Sequence, residues 1–119
     1  MAGQLVLVIA EDPVLAALVG AWIDMTLPEC VRFPKPQELP RTAVERVRPA
    51  VVVVSMEHAP AFTDEFLDRM QVLRVPVVAF GGGTVSAEAR DRADRLGLAP
   101  VLLPTGLAEL DRQIAAAAE

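Results

Sequence analysis

The feature that most constrains this chain is an alternation, repeated five times, of short apolar runs and helical stripes. The apolar runs are rich in Val, Ile and Leu, as expected for strands that are covered on both faces. They occupy Gln4–Ala10, Cys30–Phe33, Val51–Val54, Val75–Phe80 and Pro100–Leu103. Each run precedes a segment whose apolar residues recur at helical spacing. This alternation predicts a parallel sheet with helices on both of its faces.

Residues that flank the helical segments support the same reading. Asp12 precedes a proline, so the first helix has a good N-cap followed by a residue suited to its first position. Ser86 is a good cap for the fourth helix, and Gly97 is suited to end it. The second helix is the least defined, because Pro36 and Pro40 restrict where it can start. The 119 residues are enough for one domain and too few for two.

Charge and cysteine content exclude several classes of function. The net charge of −5 argues against binding nucleic acid, since affinity for phosphate backbones comes largely from Lys and Arg. Cys30 is the single cysteine, so there is no internal disulfide and no Cys/His cluster for zinc. The first residues lack the basic start of a signal peptide, and acidic residues interrupt the first apolar run well short of a membrane span. We therefore expect a cytoplasmic protein with no membrane contact.

The expected site lies at the edge of the sheet where the parallel strands end, because ligands bind there in such folds. For an α/β, flavodoxin-like (βα)5 three-layer sandwich with five parallel strands in the order 2-1-3-4-5, the crevice lies between the first and third strands. The residues expected at this edge are Glu11, Asp12, Ser55, Met56, Glu57, Gly81, Gly82, Pro104 and Thr105. Four valines lead into Ser55, which predicts a buried strand with a hydroxyl at its tip.

These stretches resemble the receiver domain of bacterial response regulators over essentially the whole chain. The matching segments are LVLVIAEDPVLAALVGAWI, RPAVVVVS, VPVVAFGG and RADRLGLAPVLLPTGLAEL. The resemblance implies that residues 1–119 form a single receiver-like domain. In receivers an acidic pair after the first strand helps to hold magnesium, and an aspartate at the end of the third strand accepts a phosphoryl group. A Ser or Thr ends the fourth strand, and a Lys followed by a Pro ends the fifth.

Carried over by position, the resemblance retains the acidic pair, Glu11 and Asp12, and loses the rest of the chemistry. The phosphoacceptor position is Ser55, the strand-four hydroxyl falls on Gly81, and the lysine falls on Pro104. An acyl phosphate needs an ionised carboxylate as nucleophile and cations around the phosphoryl oxygens. Magnesium prefers carboxylate oxygens, so the loss of the third carboxylate leaves at most a weak metal site at the acidic pair. We expect no cofactor and no phosphoryl transfer.

Several alternatives stay open at this stage. Glu11 and Asp12 are also suited simply to stabilise the start of the first helix. Glu57 is close enough in sequence to restore part of a cation site. A Ser55–His58 pair is reminiscent of a hydrolase, but the chain lacks the Gly-x-Ser-x-Gly elbow, so we expect no enzyme activity. The glycine loop FGGGT is typical of an anion cradle, which makes binding of a small anion or metabolite the second hypothesis.

The fourth helix carries a charged face, which indicates either a solvated surface or a contact with a partner. The resemblance implies that the surface of the fourth helix, fifth strand and fifth helix meets partners. The residues expected on it are Arg90, Arg92, Asp94, Arg95 and Val101. The leading hypothesis is a stand-alone pseudo-receiver that acts through protein–protein contacts in a signalling or regulatory pathway. Its partner is then another protein of that pathway, with a homodimer as an open alternative.

Overall fold

The alternation of strands and helices appears in the computed structural model of the protein, which describes residues 5–27, 29–57, 62–81, 85–98, 101–102 and 107–118. Within these residues the strands are β1 (Val6–Ile9), β2 (Val31–Arg32), β3 (Val51–Ser55), β4 (Val77–Gly81) and β5 (Val101–Leu102). The helices are α1 (Pro13–Thr26), α2 (Pro40–Val47), α3 (Asp64–Val72), α4 (Ala87–Arg95) and α5 (Leu107–Ala118). All neighbouring strands are parallel, in the order β2-β1-β3-β4-β5. The predicted fold class and strand order are confirmed.

Two apolar cores cover the two faces of the sheet, because successive side chains of a strand point to opposite faces. Leu7, Ile9 and Val54 belong to the core that α2, α3 and α4 cover. Val6 and Val8 belong to the core that α1 and α5 cover. The sheet therefore forms the middle of three layers, and its carboxyl edge is left between the helices.

Capping residues fix where two of the helices begin. The Asp12 carboxylate accepts a hydrogen bond from the backbone N–H of Val14 at 2.9 Å. The Ser86 hydroxyl accepts one from the N–H of Ala89 at 3.1 Å. Both caps are those that the sequence predicts. In contrast, α2 begins at Pro40 without a side-chain cap, which explains why the start of this helix was poorly marked in the sequence.

The segment that joins β2 to α2 is braced by an aromatic ring and an ion pair. The ring of Phe33 packs on α1 at Gly20, where an added Cβ would lie 2.5 Å from Phe33 Cζ. The Glu38 carboxylate accepts hydrogen bonds from Arg46 Nε and from the backbone N–H of Lys35, each at 2.8 Å. Arg46 also donates to the carbonyl oxygen of Phe33 at 3.2 Å. These contacts hold the β2–α2 loop against α1 and α2.

The most apolar helix is α1, which has buried residues on one side and exposed apolar residues on another. It is 14 residues long, whereas a helix needs about 20 apolar residues to cross a bilayer. In the described part of the chain, no helix combines the length and the apolarity that crossing a membrane requires.

Candidate functional site

Ser55 ends β3 at the carboxyl edge of the sheet, and its side chain is 2% exposed. The hydroxyl oxygen accepts a hydrogen bond from the backbone N–H of Glu57 at 3.2 Å. The neighbouring position on β4 is Phe80, which is also buried. The valine run therefore delivers a neutral hydroxyl to the strand tip, as predicted, and the chain just beyond β3 folds back over that hydroxyl.

The acidic pair follows β1 and is exposed to solvent. The Asp12 carboxylate is engaged by the first turn of α1, where it accepts from the N–H groups of Val14 at 2.9 Å and Leu15 at 3.5 Å. Negative charge at this position is favourable because the first turn of a helix exposes unpaired N–H groups. The helix-capping alternative is thus confirmed for Asp12.

A small cavity of about 170 Å³ joins the ends of β1 and β3, and its lining residues are Glu11, Asp12, Leu15, Ser55 and Glu57. The strand order explains this arrangement, since β1 and β3 are neighbours in the sheet. Among the residues that the structure describes, the lining holds three carboxylates and no cation. Its negative charge works against the binding of phosphate or another anion.

The side chains that the structure describes around this cavity are not grouped as the ligands of a metal ion. In the described ranges, no three Asp, Glu, His or Cys side chains lie close enough together to hold a metal ion. Asp12 already caps α1, and Ser55 offers a hydroxyl where a receiver has a carboxylate. Magnesium demands near-octahedral oxygen ligation at short distances, to which Ser55 contributes no carboxylate.

The remaining residues of the predicted edge differ in where they lie. Met56, which directly follows β3, is not among the described residues that line the cavity, and it is buried with Val52 and Val54 in the core beneath α2, α3 and α4. Gly81 ends β4, is buried, and pairs with Leu102 of β5. The other residues of the prediction, which fall outside the described ranges, are His58, Gly82, Pro104 and Thr105.

Two arginines of the predicted partner surface form ion pairs within the molecule. Arg92 Nε lies 2.9 Å from Asp64 Oδ1, and an Arg95 nitrogen lies 3.4 Å from the same oxygen. Arg92 also donates to the carbonyl oxygen of Phe62 at 3.0 Å, and its guanidinium lies 5.9 Å from the Phe62 ring centroid. The hydrogen bond from Arg92 lowers the pKa of the Asp64 carboxyl. Arg92 and Arg95 therefore tie α4 to the start of α3.

The other residues predicted for that surface are less constrained. Arg90 and Asp94 are exposed on α4. Val101 lies in β5 opposite Phe80, and its side chain is outside the described part of the structure.

A larger groove, of about 750 Å³, lies between α1 and the β2–α2 loop and was not predicted from the sequence. Residues along its two walls include Pro13 and Ala17 from α1, and Phe33, Lys35 and Leu39 from the loop. A groove of this volume is in the range of known binding pockets. The signal in the sequence was the run of prolines after Phe33, which we used only to judge where α2 starts.

Solved structures with the same fold include two signal receiver domains. One, from a DNA-binding response regulator protein (merR) of Colwellia psychrerythraea 34H, has a TM-score of 0.67 at 18% identity, covering 95% of this chain and 96% of that one. Another, from a candidate Luxo repressor protein of Vibrio parahaemolyticus, has a TM-score of 0.66 at 18% identity, covering 97% and 89%. A candidate pilus assembly-related protein of Burkholderia pseudomallei K96243 has a TM-score of 0.63 at 17% identity, also covering 97% and 89%.

At these identities the likeness establishes the fold. No family model matches the sequence, and no curated protein matches it at a significant level.

Proposed function

We propose that this chain, which has the receiver fold, is a pseudo-receiver that takes no phosphoryl group at the usual position and acts through contacts with another protein. The observation that carries the proposal is the buried, neutral hydroxyl of Ser55 at the tip of β3. Phosphoryl transfer to a receiver needs an ionised carboxylate at this position and cations around the phosphoryl oxygens. The tip of β3 carries a hydroxyl in place of the carboxylate, and the described residues that line the cavity include no cation.

The surroundings of Ser55 also support a module without enzyme activity. A serine becomes a nucleophile when a base within hydrogen-bond reach takes its proton. In the described residues, the Ser55 hydroxyl has one hydrogen bond, which it accepts from the Glu57 backbone. The hydroxyl is also almost inaccessible to a substrate.

The proposed setting is a signalling or regulatory pathway of the cytoplasm, with a protein as the partner. The net charge of −5 opposes contact with nucleic acid phosphates. The acidic cavity lining likewise opposes small anions, so contact with a protein is the mode of action that the charge distribution favours.

Amide-resolved NMR of the protein with acetyl phosphate and magnesium tests the proposal. We expect the resonances of Ser55, Glu57 and Gly81 to be the same with and without the donor, because no phosphoryl group is taken up. Magnesium alone is the control for ion binding. A change at these residues that needs donor and magnesium together would falsify the proposal.

Esterase activity tests the non-enzymatic part separately. Wild type and Ser55→Ala are expected to hydrolyse p-nitrophenyl acetate at the same slow rate. A turnover that Ser55→Ala abolishes would show that the serine is a nucleophile.

A further inference from the structure

A further groove, of about 580 Å³, lies between α2 and α3. Val72 of α3 is 76% exposed and Leu39, which precedes α2, is 65% exposed, and both residues line this groove. The buried residues Pro40 and Phe66 line it as well. Contiguous exposed apolar surface marks interaction sites. The groove therefore has the apolar centre of an interface.

Four charged residues surround this apolar centre. Arg41 of α2 and three residues of α3, namely Glu65, Asp68 and Arg69, line the groove and are exposed. Among the residues that the structure describes, none of these four side chains has an ion-pair or hydrogen-bond partner. Glu65 and Arg69 do not pair although they are four positions apart, a spacing at which opposite charges on a helix are neighbours. An apolar centre with a charged rim is the arrangement of a protein interface.

The exposed side of α3 is ordered by charge. At about 100° per residue, the side chains run from α4 toward α2 in the order Asp68, Val72, Glu65 and Arg69. Asp64 marks the α4 end of this order, because it pairs with Arg92 of α4. Arg41 lies at the other end, across the groove on α2. An acidic side chain thus lies toward α4, the arginines lie toward α2, and the exposed valine lies between them.

We infer that this side of α3, with the adjoining groove, is an interface between two copies of this chain, related by a two-fold axis that runs along α3. Such an axis sets Asp68 of each copy against Arg69 of the other. It also sets Val72 against Val72 of the other copy. Each contact of opposite charges is made twice, because a two-fold interface uses the same surface on both subunits.

The charges on α3 distinguish between the two directions in which the helices can pair. If the two α3 helices ran antiparallel, Asp68 would lie beside Asp68 of the other copy. Arg69 would likewise lie beside Arg69 of the other copy. Like charges brought together in an interface cost binding free energy, whereas opposite charges fix the register. The parallel arrangement is the one that the charges favour.

The balance of charge at the groove points to a second copy as the occupant. Two arginines and two carboxylates line the groove, in a chain whose net charge is −5. Two acidic molecules repel each other in most orientations, and a surface without net charge is where they approach at least cost. A lipid surface is disfavoured, because helices that lie on membranes carry mainly Lys and Arg beside their apolar face. The inference does not depend on the proposed function, since none of these residues lies at the tip of β3.

Sedimentation equilibrium over a range of protein concentrations tests whether the dimer forms. We expect a reversible dimer with a dissociation constant in the micromolar range. A protein that stays monomeric up to about 1 mM would overturn the inference and leave the surface to a different protein. Binding of the monomer to phosphatidylserine vesicles that Arg69→Glu abolishes would overturn it in favour of a membrane.

Charge reversal tests the paired contact. Asp68→Arg and Arg69→Glu are each expected to weaken the dimer at least about tenfold, because each brings like charges together. Mixed in equal amounts, the two variants are expected to form a heterodimer about as tight as the wild-type dimer, since every 68–69 contact again joins opposite charges. A mixture that stays monomeric would contradict the pairing.

Asp91→Arg is the matched control for charge reversal. It makes the same change of charge at an exposed residue of α4. We expect it to weaken the dimer by less than about twofold, and circular dichroism checks that all three variants are folded. An effect as large as that of Asp68→Arg would show that net charge, and not the surface of α3, determines association.

A pair of valine substitutions tests the location. Val72→Glu and Val14→Glu make the same change at side chains that are each 76% exposed, one on α3 and one on α1. Val72→Glu is expected to weaken the dimer about tenfold, and Val14→Glu by less than about twofold. An equal or larger effect of Val14→Glu would contradict the assignment to α3.

Glu65 tests the direction of the axis. A parallel pair places Glu65 near Glu65 of the other copy, which is the one like-charge contact on this side of α3. Glu65→Gln is therefore expected to tighten the dimer by at least about twofold. An unchanged or weaker dimer would contradict the parallel arrangement.

Failure of this inference and failure of the proposed function are separable. Uptake of phosphate by a dimeric protein would refute the pseudo-receiver and leave the interface. No uptake by a protein that stays monomeric would refute the interface alone.

Discussion

Ser55 lies where a strand buried on both faces reaches the solvent edge, and its surroundings determine which side chains that position tolerates. The hydroxyl is neutral, accepts a hydrogen bond from one backbone N–H, and lines the same small cavity as three acidic side chains. A carboxylate there would have to be ionised in a poorly solvated place beside other negative charges, which is unfavourable without a cation.

The variant Ser55→Asp measures this cost. Burial, and then the nearby carboxylates, should raise the pKa of the new carboxyl above its usual value of about 3.9. A raised pKa in the folded state means that the penalty is absent when the group is protonated and appears as the pH rises. We expect a loss of about 2 kcal/mol in the free energy of unfolding near neutral pH, and little loss near about pH 4.

Ser55→Asn is the matched control, because it has the same shape as Ser55→Asp without the charge. Urea unfolding of both variants at the two pH values gives the comparison. If Ser55→Asp and Ser55→Asn lose the same free energy of unfolding at both pH values, the charge is not the cause of the loss.

A second prediction at the scale of a residue concerns the pKa of Glu38. The hydrogen bond from Arg46, and then the one from the Lys35 backbone, lowers the pKa of Glu38 from 4.5 to about 2. Because the folded-state pKa is the lower one, the stabilisation is complete above about pH 4.5 and is lost as the pH falls toward 2. Glu38→Gln should therefore lose less stability than wild type over this interval in thermal unfolding.

Glu45→Gln removes an exposed carboxylate from the same helix and serves as the control. If both variants keep the acid sensitivity of wild type, the Glu38–Arg46 pair does not stabilise the β2–α2 loop.

At the scale of elements, the contact of the β2–α2 loop with α1 depends on a glycine in the middle of a helix. Gly20→Ala in a Phe33→Ala background should stabilise the protein by about 1 kcal/mol, the usual helix preference of Ala over Gly. With Phe33 present, the new Cβ would fall 2.5 Å from the ring and displace it, so the gain should be cancelled or reversed. Urea unfolding of the double-mutant cycle measures this coupling, and additive effects would contradict it.

The link between α4 and α3 gives another comparison. Arg92→Met removes a hydrogen bond to the Phe62 carbonyl and a contact with the Phe62 ring, whereas Arg90→Met changes an exposed side chain of the same helix. We expect Arg92→Met to lower the free energy of unfolding by about 1 kcal/mol more than Arg90→Met does. If the two variants are equally stable in chemical denaturation, the contacts of Arg92 do not stabilise the protein.

The helices and strands were largely predictable from the sequence, because the residue patterns that mark them are local. Asp12 and Ser86 are caps that can be recognised from the residues beside them. Met56 was placed at the edge by sequence proximity, whereas its side chain turns into the core directly after β3 ends. The pairing of Arg92 with Asp64 joins residues that are 28 positions apart, and no local sequence pattern predicts such a contact.

At the scale of the whole molecule, the helices on the two sides of the sheet differ in the side chains that they expose to solvent. The charged helix α4 satisfies two of its arginines internally, while the apolar helix α1 leaves its outer face to solvent. The alternation of strands and helices in the sequence predicted the fold. The difference between the two outer surfaces could be seen only from the packing of the side chains.

Whether the strand tip accepts phosphate is settled most directly by intact-protein mass spectrometry. The protein is incubated with excess acetyl phosphate and magnesium, and a receiver that carries the aspartate is treated in parallel as the positive control. We predict an unchanged mass for this chain under conditions that label the control. A mass increase of one phosphoryl group that Ser55→Ala removes would contradict the pseudo-receiver account.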